Sequence, residues 1–428
     1  MKKHVLCGVV GICIILGIAL FVVQTMHKPQ EEPHVLRVCL WDYDVVSYDR
    51  KLIAAFEQSH PHIQVDVVAF NSYYYNKTLE SMLESGQQVD VIFVNQLESL
   101  SMLQEQDMIY PIDAFLEKDK LPLDSYLALD ALRDSQSGEL LGLPYRMDRF
   151  MLYFNKSMFD EAGVQYPDSN MTWLEFEELA KTLQQNIPLL ADQYSVFQLI
   201  APSRQMSFLT DKFFSVENSS FEQLRPGLEL MLRMQKEGVM KPLSEMSDQE
   251  GSQRMFEQGD YGMFVHGSWF LNYLINDTKN GKISFEWGAC APPSWKNEES
   301  RIDEIWQTPV CISRNTRERE AAWEFVRFVC GPEGAAILAE EGMLPACLTN
   351  EVREIFSQNV KQFDVDASLF LDGFDYTLYP ISEQTRILQE QIDKEYTKVM
   401  LGIESVDEGL QNMTFIREEW GRRNARNS

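Results

Sequence analysis

Residues Val35 to Phe70, VLRVCLWDYDVVSYDRKLIAAFEQSHPHIQVDVVAF, set the fold, because they read as strand, helix and strand in turn. VLRVCLW alternates in the manner of a strand. DRKLIAAFEQSHP carries apolar residues at helical spacing and stops at a proline. IQVDVVAF is strand-like again. Downstream, YNKTLESMLESG predicts a helix ended by Gly86, VDVIFVN a short buried strand, and LESLSMLQEQDMI another helix. Strands and helices that alternate at this spacing form βαβ units, which predicts an α/β fold with a parallel sheet covered on both faces.

The pattern continues outward. Thr172 to Glu175 forms a capping box that opens an amphipathic helix carrying Phe176, Leu179 and Leu183 on one side. After it comes a mixed region to about Gly238, in which Pro226 suits a helix start. RMFEQGDYGMFVHGSW predicts a helix, a turn at Gly259-Asp260, and a strand running into Gly267-Ser268-Trp269. TPVCISRN is a strand, and EREAAWEFVRFVCGPEGAAILAEEG is a helical pair broken at Gly331-Pro332. A second capping box, Ser405 to Glu408, opens a final helix reaching about Trp420.

The chain has 428 residues, 45% hydrophobic and 11% aromatic, enough for two domains with full cores. A formal charge of −27 repels nucleic-acid phosphates and anionic lipid surfaces, so no nucleic-acid partner is expected. Val5 to Val23, VLCGVVGICIILGIALFVV, holds no charge and follows two lysines. As a helix it spans roughly 28 Å, about one hydrocarbon core. Gly17-Ile18-Ala19 is a weak cleavage match, so the reading is an uncleaved signal anchor, with a cleaved signal as its competitor. The polar stretch QTMHKPQEEP then serves as a tether. Outside that span lie Cys39, Cys290, Cys311, Cys330 and Cys347, an odd number without C-x-x-C, which favours buried free thiols over a disulfide framework.

Several blocks follow one another in a fixed order. Trp41-Asp42-Tyr43 ends the first strand. LESMLESGQQVDVIFVNQ precedes LGLPYRMDRFMLYFNKSMFDEAGV, with TWLEFEELAKTL close behind. FEQGDYGMFVHGSW leads to WGACAPP, and VCISRNTREREAAWEFVRFVCGPEGAAILAEEGMLP precedes VMLGIESVDEGL. From about Leu36 to about Trp420 this order resembles the extracellular solute-binding proteins of family 1, the maltose-binding-type receptors of ABC importers. The resemblance implies a two-lobed periplasmic-binding-protein-like fold of type II, each lobe a mostly parallel sheet flanked by helices. After an anchor and tether over 1–33, lobe one would comprise 34–143 and 308–345, and lobe two 144–307 and 346–428. Three crossings would form the hinge: near Leu143 to Tyr145, near Thr308, and shortly after Pro345. A small solute would close the lobes around itself.

Sugar chemistry organises the candidates. Hydroxyl edges suit carboxylate, guanidinium and amide groups, whereas C–H faces pack on aromatic rings. Asp42, Asn95, Arg146 and Asp148 fit the first need. Trp41, Tyr43, Tyr145, Trp269, Trp306 and Tyr379 fit the second, with Gly267 opening the Gly-x-Trp element. By resemblance, Asp148 takes the place of the acidic residue that grips sugar hydroxyls, and Trp269 that of the stacking aromatic. Tyr379 matches more loosely, because YTLYPISEQ departs from the family pattern. Arg146, Asp148 and Arg149 stand directly before the apolar run FMLYFNK. As a cleft wall they would face solvent when empty and ligand when closed, the alternative being a structural ion network. Trp173, Trp323 and Trp420 read as core. Tyr73-Tyr74-Tyr75 reads either as cleft rim or as helix cover, and His60-Pro61-His62 as a turn without a metal.

The expected function is an extracytoplasmic, monomeric substrate-binding component that captures a mono- or oligosaccharide and delivers it to permease subunits, without cofactor. A sensory subunit feeding a membrane kinase would use the same site, and a polyamine would suit the acidity. A glycosidase would need two facing carboxylates, for which Asp42 and Asp148 are candidates. No G-x-S-x-G, H-E-x-x-H or P-loop occurs, and the expectation is that the chain is not an enzyme.

Overall fold

The computed structural model describes residues 33–95, 97–134, 137–187, 195–199, 216, 220–245, 249–295, 305–372 and 383–427. The apolar N-terminal span, the tether up to Glu32, Gln96 and Tyr379 lie outside the described residues. Among those described, no helix is long and apolar enough to cross a membrane.

The opening stretch folds as its pattern predicts: β1 (His34–Trp41), α1 (Tyr48–Ser59) and β2 (Ile63–Phe70). Helix α1 buries Leu52, Ile53 and Phe56, the residues its spacing places on one face, together with Tyr48 and Asp49. Next come α2 (Tyr75–Glu84), β3 (Val91–Phe93), α3 (Leu97–Glu105), β4 (Ile109–Tyr110) and α4 (Asp113–Asp119). Strands β1 and β2 run parallel over their whole length, from His34 opposite Ile63 to Trp41 opposite Phe70. Strand β3 joins β1 on the other side, also parallel. Three carboxyl ends therefore share one rim.

Strand β5 (Leu143–Asp148) belongs to this first sheet, and β6 (Phe150–Asn155), one residue later, belongs to a second. The second half of the order is α5 (Lys156–Ala162), α6 (Trp173–Asn186), β7 (Ser195–Leu199), α7 (Arg225–Lys236), α8 (Gln249–Glu257), β8 (Tyr261–Gly267), α9 (Phe270–Lys279) and β9 (Trp287–Cys290). Both predicted capping boxes form: Thr172 with Glu175 at α6, and Ser405 with Glu408 before the last helix. Pro226 sits in the first turn of α7. The second sheet has the order β7-β8-β6-β9.

The chain then returns through β10 (Trp306–Ser313), which enters the first sheet antiparallel to β3, β4 and β5. Helices α10 (Arg319–Cys330), α11 (Pro332–Glu340), α12 (Asn350–Lys361), α13 (Ser368–Leu371), α14 (Glu383–Met400) and α15 (Val406–Asn427) complete it. Both sheets are consequently mixed. Parallel pairing holds for β1 with β2, β1 with β3 and β7 with β8, while the strands joining the halves run antiparallel. The returning strand β10 enters the first sheet against the direction of β5, the strand that left it.

Three segments lie side by side where the chain passes between the sheets. Along β5 and β10, Asp148 faces Trp306, Met147 faces Gln307 and Arg146 faces Thr308. On the other flank of β5, the Met147 amide donates to the Leu344 carbonyl, and the Ala346 amide to the Tyr145 carbonyl.

Each sheet has its own apolar cluster. The first gathers Leu36, Phe56, Val91, Phe325 and Trp323. The second gathers Phe159, Trp173, Phe176, Phe197 and Met263. Trp173 is 1% exposed and edge-on to Phe176, so truncation to Ala would cost about 3–5 kcal/mol. Trp323 is buried as predicted, and Trp420 packs half-buried on the second cluster. Cys39, Cys290, Cys311, Cys330 and Cys347 are all buried free thiols.

Candidate functional site

β1 ends at Trp41, β3 ends at Phe93, and β10, antiparallel to β3, begins at Trp306. The same rim thus collects Trp41, Asp42, Tyr43, Asn95 and Trp306, and adds Asp148 from the end of β5. From the second sheet, β8 stops at Gly267 and delivers Ser268 and Trp269 to this place. Trp269 and Tyr273, on the second sheet's side, pack against the first sheet's apolar cluster.

Charge is concentrated at the crossing. Arg146 and Asp148 are 7% and 4% exposed, so the expectation that these charges face solvent is corrected here. Burying them is tolerable because each has partners. Arg146 Nε lies 3.6 Å from Asp148 Oδ2 and 3.4 Å from Thr308 Oγ1, and Nη1 donates to the Tyr48 hydroxyl at 3.3 Å. Its guanidinium stands 5.6 Å from the Trp41 ring centre. Burial works most strongly against the Arg146 charge, but Asp148 together with Tyr48, Tyr145 and Asp49 offsets it, and the group stays protonated. Ser268 Oγ donates to Asp148 Oδ1 at 2.9 Å and accepts from the Arg149 amide at 3.2 Å. Arg149 itself donates to the Asp372 carbonyl at 3.0 Å.

Tyr145 is 3% exposed, its ring edge-on to Phe93 at 5.1 Å and its hydroxyl donating to Asp49 Oδ1 at 2.7 Å. Burial pushes the Asp49 carboxyl up to about 6, despite the Tyr145 hydrogen bond and nearby Arg146. Burial likewise raises the Tyr145 and Tyr48 hydroxyls well above their ordinary range. Helix α1 thus grips β5 through its first turn.

Half-buried aromatic rings surround the ionic centre. Phe150 lies edge-on to Trp269 and to Trp306, both at 6.1 Å between ring centres. Buried His266 stands 5.1 Å behind Trp269. The indole of Trp269 folds over Gly267, where a Cβ would come within 1.9 Å of the ring. Asp42 adopts φ 52° and accepts the Ser72 amide at 2.9 Å, while Asn95 Nδ2 donates to the Ser72 carbonyl at 3.4 Å. The Tyr43 carbonyl accepts from Arg50 at 2.6 Å. Of the nominated residues, Trp41, Arg146, Asp148, Gly267, Trp269 and Trp306 converge. Tyr145 lies behind them in the core, Asp42 and Asn95 bind a neighbouring loop, and Tyr379 lies outside the described residues.

Sequence reasoning missed Tyr48, Asp49, Phe150, His266 and Thr308. Asp49 in a first helical turn looks like an ordinary dipole partner, and nothing local signals that it meets Tyr145, 96 residues away. The turn at His60 and His62 is structural: His60 stacks on Phe56 and His62 meets Glu324. No metal-holding group of three His, Cys, Asp or Glu occurs among the described residues.

Comparison with known proteins agrees with this architecture. The family described as bacterial extracellular solute-binding protein matches residues 44–336. A binding protein of Brucella abortus is 21% identical over 315 residues, covering 70% of this chain and 72% of the relative. An ABC substrate-binding protein of Listeria monocytogenes, solved with cycloalternan, superposes with TM-score 0.78 at 18% identity, over 91% of this chain and 99% of that one. A sugar transporter protein of Rhizobium etli in an open conformation gives TM-score 0.72 at 24% identity, over 90% and 99%. The chain belongs to the bacterial extracellular solute-binding protein family, and its fold is the two-lobed α/β fold of these structures. Members of that family are extracellular binding proteins rather than enzymes.

Proposed function

We propose that this chain captures a carbohydrate between its two lobes outside the cytoplasm and delivers it to the permease of an ABC importer. The observation that carries the reading is the pairing of one ionic centre with several half-buried rings at the crossing. Trp41, Trp269 and Trp306 offer faces for sugar C–H surfaces, and Arg146 and Asp148 offer a donor and an acceptor. At 3.6 Å the Arg146–Asp148 contact is longer than a direct hydrogen bond of about 2.9 Å. A sugar hydroxyl that donates to Asp148 and accepts from Arg146 would bridge the two groups. The Listeria and Rhizobium proteins, described with cycloalternan and as a sugar transporter, support the ligand class.

In this reading, residues 34–143 with 308–345 form one lobe and 144–307 with 346–428 the other. The three adjoining segments at β5, β10 and Leu344 to Ala346 act as the hinge, and Val5 to Val23 tethers the protein to the membrane. Ligand energy contributes through its preference for the closed form over the open one. A thermal-shift screen across a carbohydrate panel, with polyamines alongside, tests the proposal. A rise in melting temperature with one or more sugars is expected. A shift with polyamines alone would overturn the carbohydrate assignment.

A further inference from the structure

Tyr73 and Tyr74 are 86% and 62% exposed, the first two residues of the triple tyrosine. Their rings meet edge to face at 4.9 Å, so they form one surface feature. Tyr75, the third, is fully buried, with its hydroxyl at 2.9 Å from the Cys39 carbonyl and 2.7 Å from that of Phe93. It also packs edge-on to Trp41 at 5.2 Å. The exposed pair is therefore anchored beside Trp41, on the rim where the carboxyl ends of β1, β2 and β3 meet.

The loop carrying the pair is held from both sides. Asp42, at the end of β1, accepts the Ser72 amide, and Asn95, beyond β3, donates to the Ser72 carbonyl. Asn71 Oδ1 accepts the Tyr73 amide at 3.0 Å, and the Asn71 carbonyl accepts the Tyr74 amide at 3.0 Å. Two polar residues nominated as ligand contacts thus each make one hydrogen bond to the loop. The pair presents two contiguous aromatic rings to solvent on a loop tied by hydrogen bonds, and contiguous exposed apolar surface marks interaction sites. Tyrosine faces suit sugar C–H patches, and the phenolic hydroxyls suit ring edges. The net charge of −27 argues against an anionic occupant.

We propose that Tyr73 and Tyr74 form an accessory platform for the later rings of an oligosaccharide whose first rings occupy the interlobe site, with Asp42 and Asn95 as positioning residues. This rests on the reading of that site as a carbohydrate site. The test is calorimetric titration of the full chain with gluco-, xylo- and manno-oligosaccharides of one to six rings. Wild-type affinity should rise as rings are added beyond the first two, and Tyr73→Ala/Tyr74→Ala should lose that gain, by about tenfold or more. Asp42→Ala should show the same length-selective loss, and Asp42→Asn, which keeps an oxygen for the Ser72 amide, should restore the gain. Equal weakening at every length, or no weakening at any length, would overturn the platform. Failure of the wild-type chain to bind any sugar of the panel would overturn the carbohydrate reading itself, and the platform with it.

Discussion

Gly267→Ala probes the aromatic wall without removing any of its rings. The added Cβ would meet Cζ3 of Trp269 at 1.9 Å and Cε3 and Cη2 at 2.2 Å. Ordinary contact begins at 3.4 Å, so the indole must retreat by about 1.5 Å. Phe150 at 6.1 Å and His266 at 5.1 Å limit sideways movement, so the indole must leave its present place against the first sheet's cluster. Because Trp269 is already half-buried rather than sealed in the core, the fold should absorb the change at about 1–3 kcal/mol, the usual cost of overpacking. The binding surface should not absorb it. Loss of face-to-face register with a sugar ring is expected to weaken binding by about tenfold or more, equivalent to about 1.4 kcal/mol. Calorimetric titration with the strongest sugar from the thermal-shift panel measures this, and Trp269→Ala should give a loss of similar size. Affinity within twofold of wild type in a folded Gly267→Ala protein would show that Trp269 does not form the wall.

Three further outcomes follow from the buried groups. Asp148→Asn leaves the Arg146 guanidinium buried without its carboxylate, and urea unfolding should report a loss of about 3–5 kcal/mol; an unchanged midpoint would place Arg146 in water. Burial holds the Asp49 carboxyl up to about 6, above its ordinary value of 3.8, so the folded form binds its proton more tightly than the unfolded form does. Its ionisation therefore opposes folding in full above about pH 6, a penalty relieved as pH falls from about 6 to 3.8. Asp49→Asn should accordingly stabilise the protein at pH 7.5 by about 1–3 kcal/mol and change little at pH 4; a loss at both values would contradict this. Burial holds the Cys39 thiol up to about 12 and raises those of Cys311, Cys330 and Cys347 as well. A chain with Cys7 and Cys13 replaced by Ser should react with a thiol reagent only on unfolding, whereas fast native labelling would contradict the burial.

Local chemistry was well written in the sequence. Val35 to Phe70 carries the periods of strand, helix and strand, and the two capping boxes form as their residues predict, because each signal acts within a few residues. The antiparallel entry of β10 was not legible, since strand direction depends on how the chain returns rather than on the composition of TPVCISRN. Charges before FMLYFNK marked a special place, but not their burial. The partners that make burial tolerable, Tyr48, Ser268 and Thr308, come from distant segments. Asp42 and Asn95 show the same gap: their residue types suggest ligand contacts, and nothing local signals that each also holds Ser72.

Closure itself can be watched with spin labels on Ser81→Cys in α2 and Leu174→Cys in α6, both exposed and on opposite lobes, since the described native cysteines are buried. Pulsed dipolar spectroscopy across a saturating titration of the best-binding sugar should move the distance distribution toward shorter values. An unaltered distribution, with calorimetry confirming that the sugar is bound, would contradict capture between two lobes that swing together.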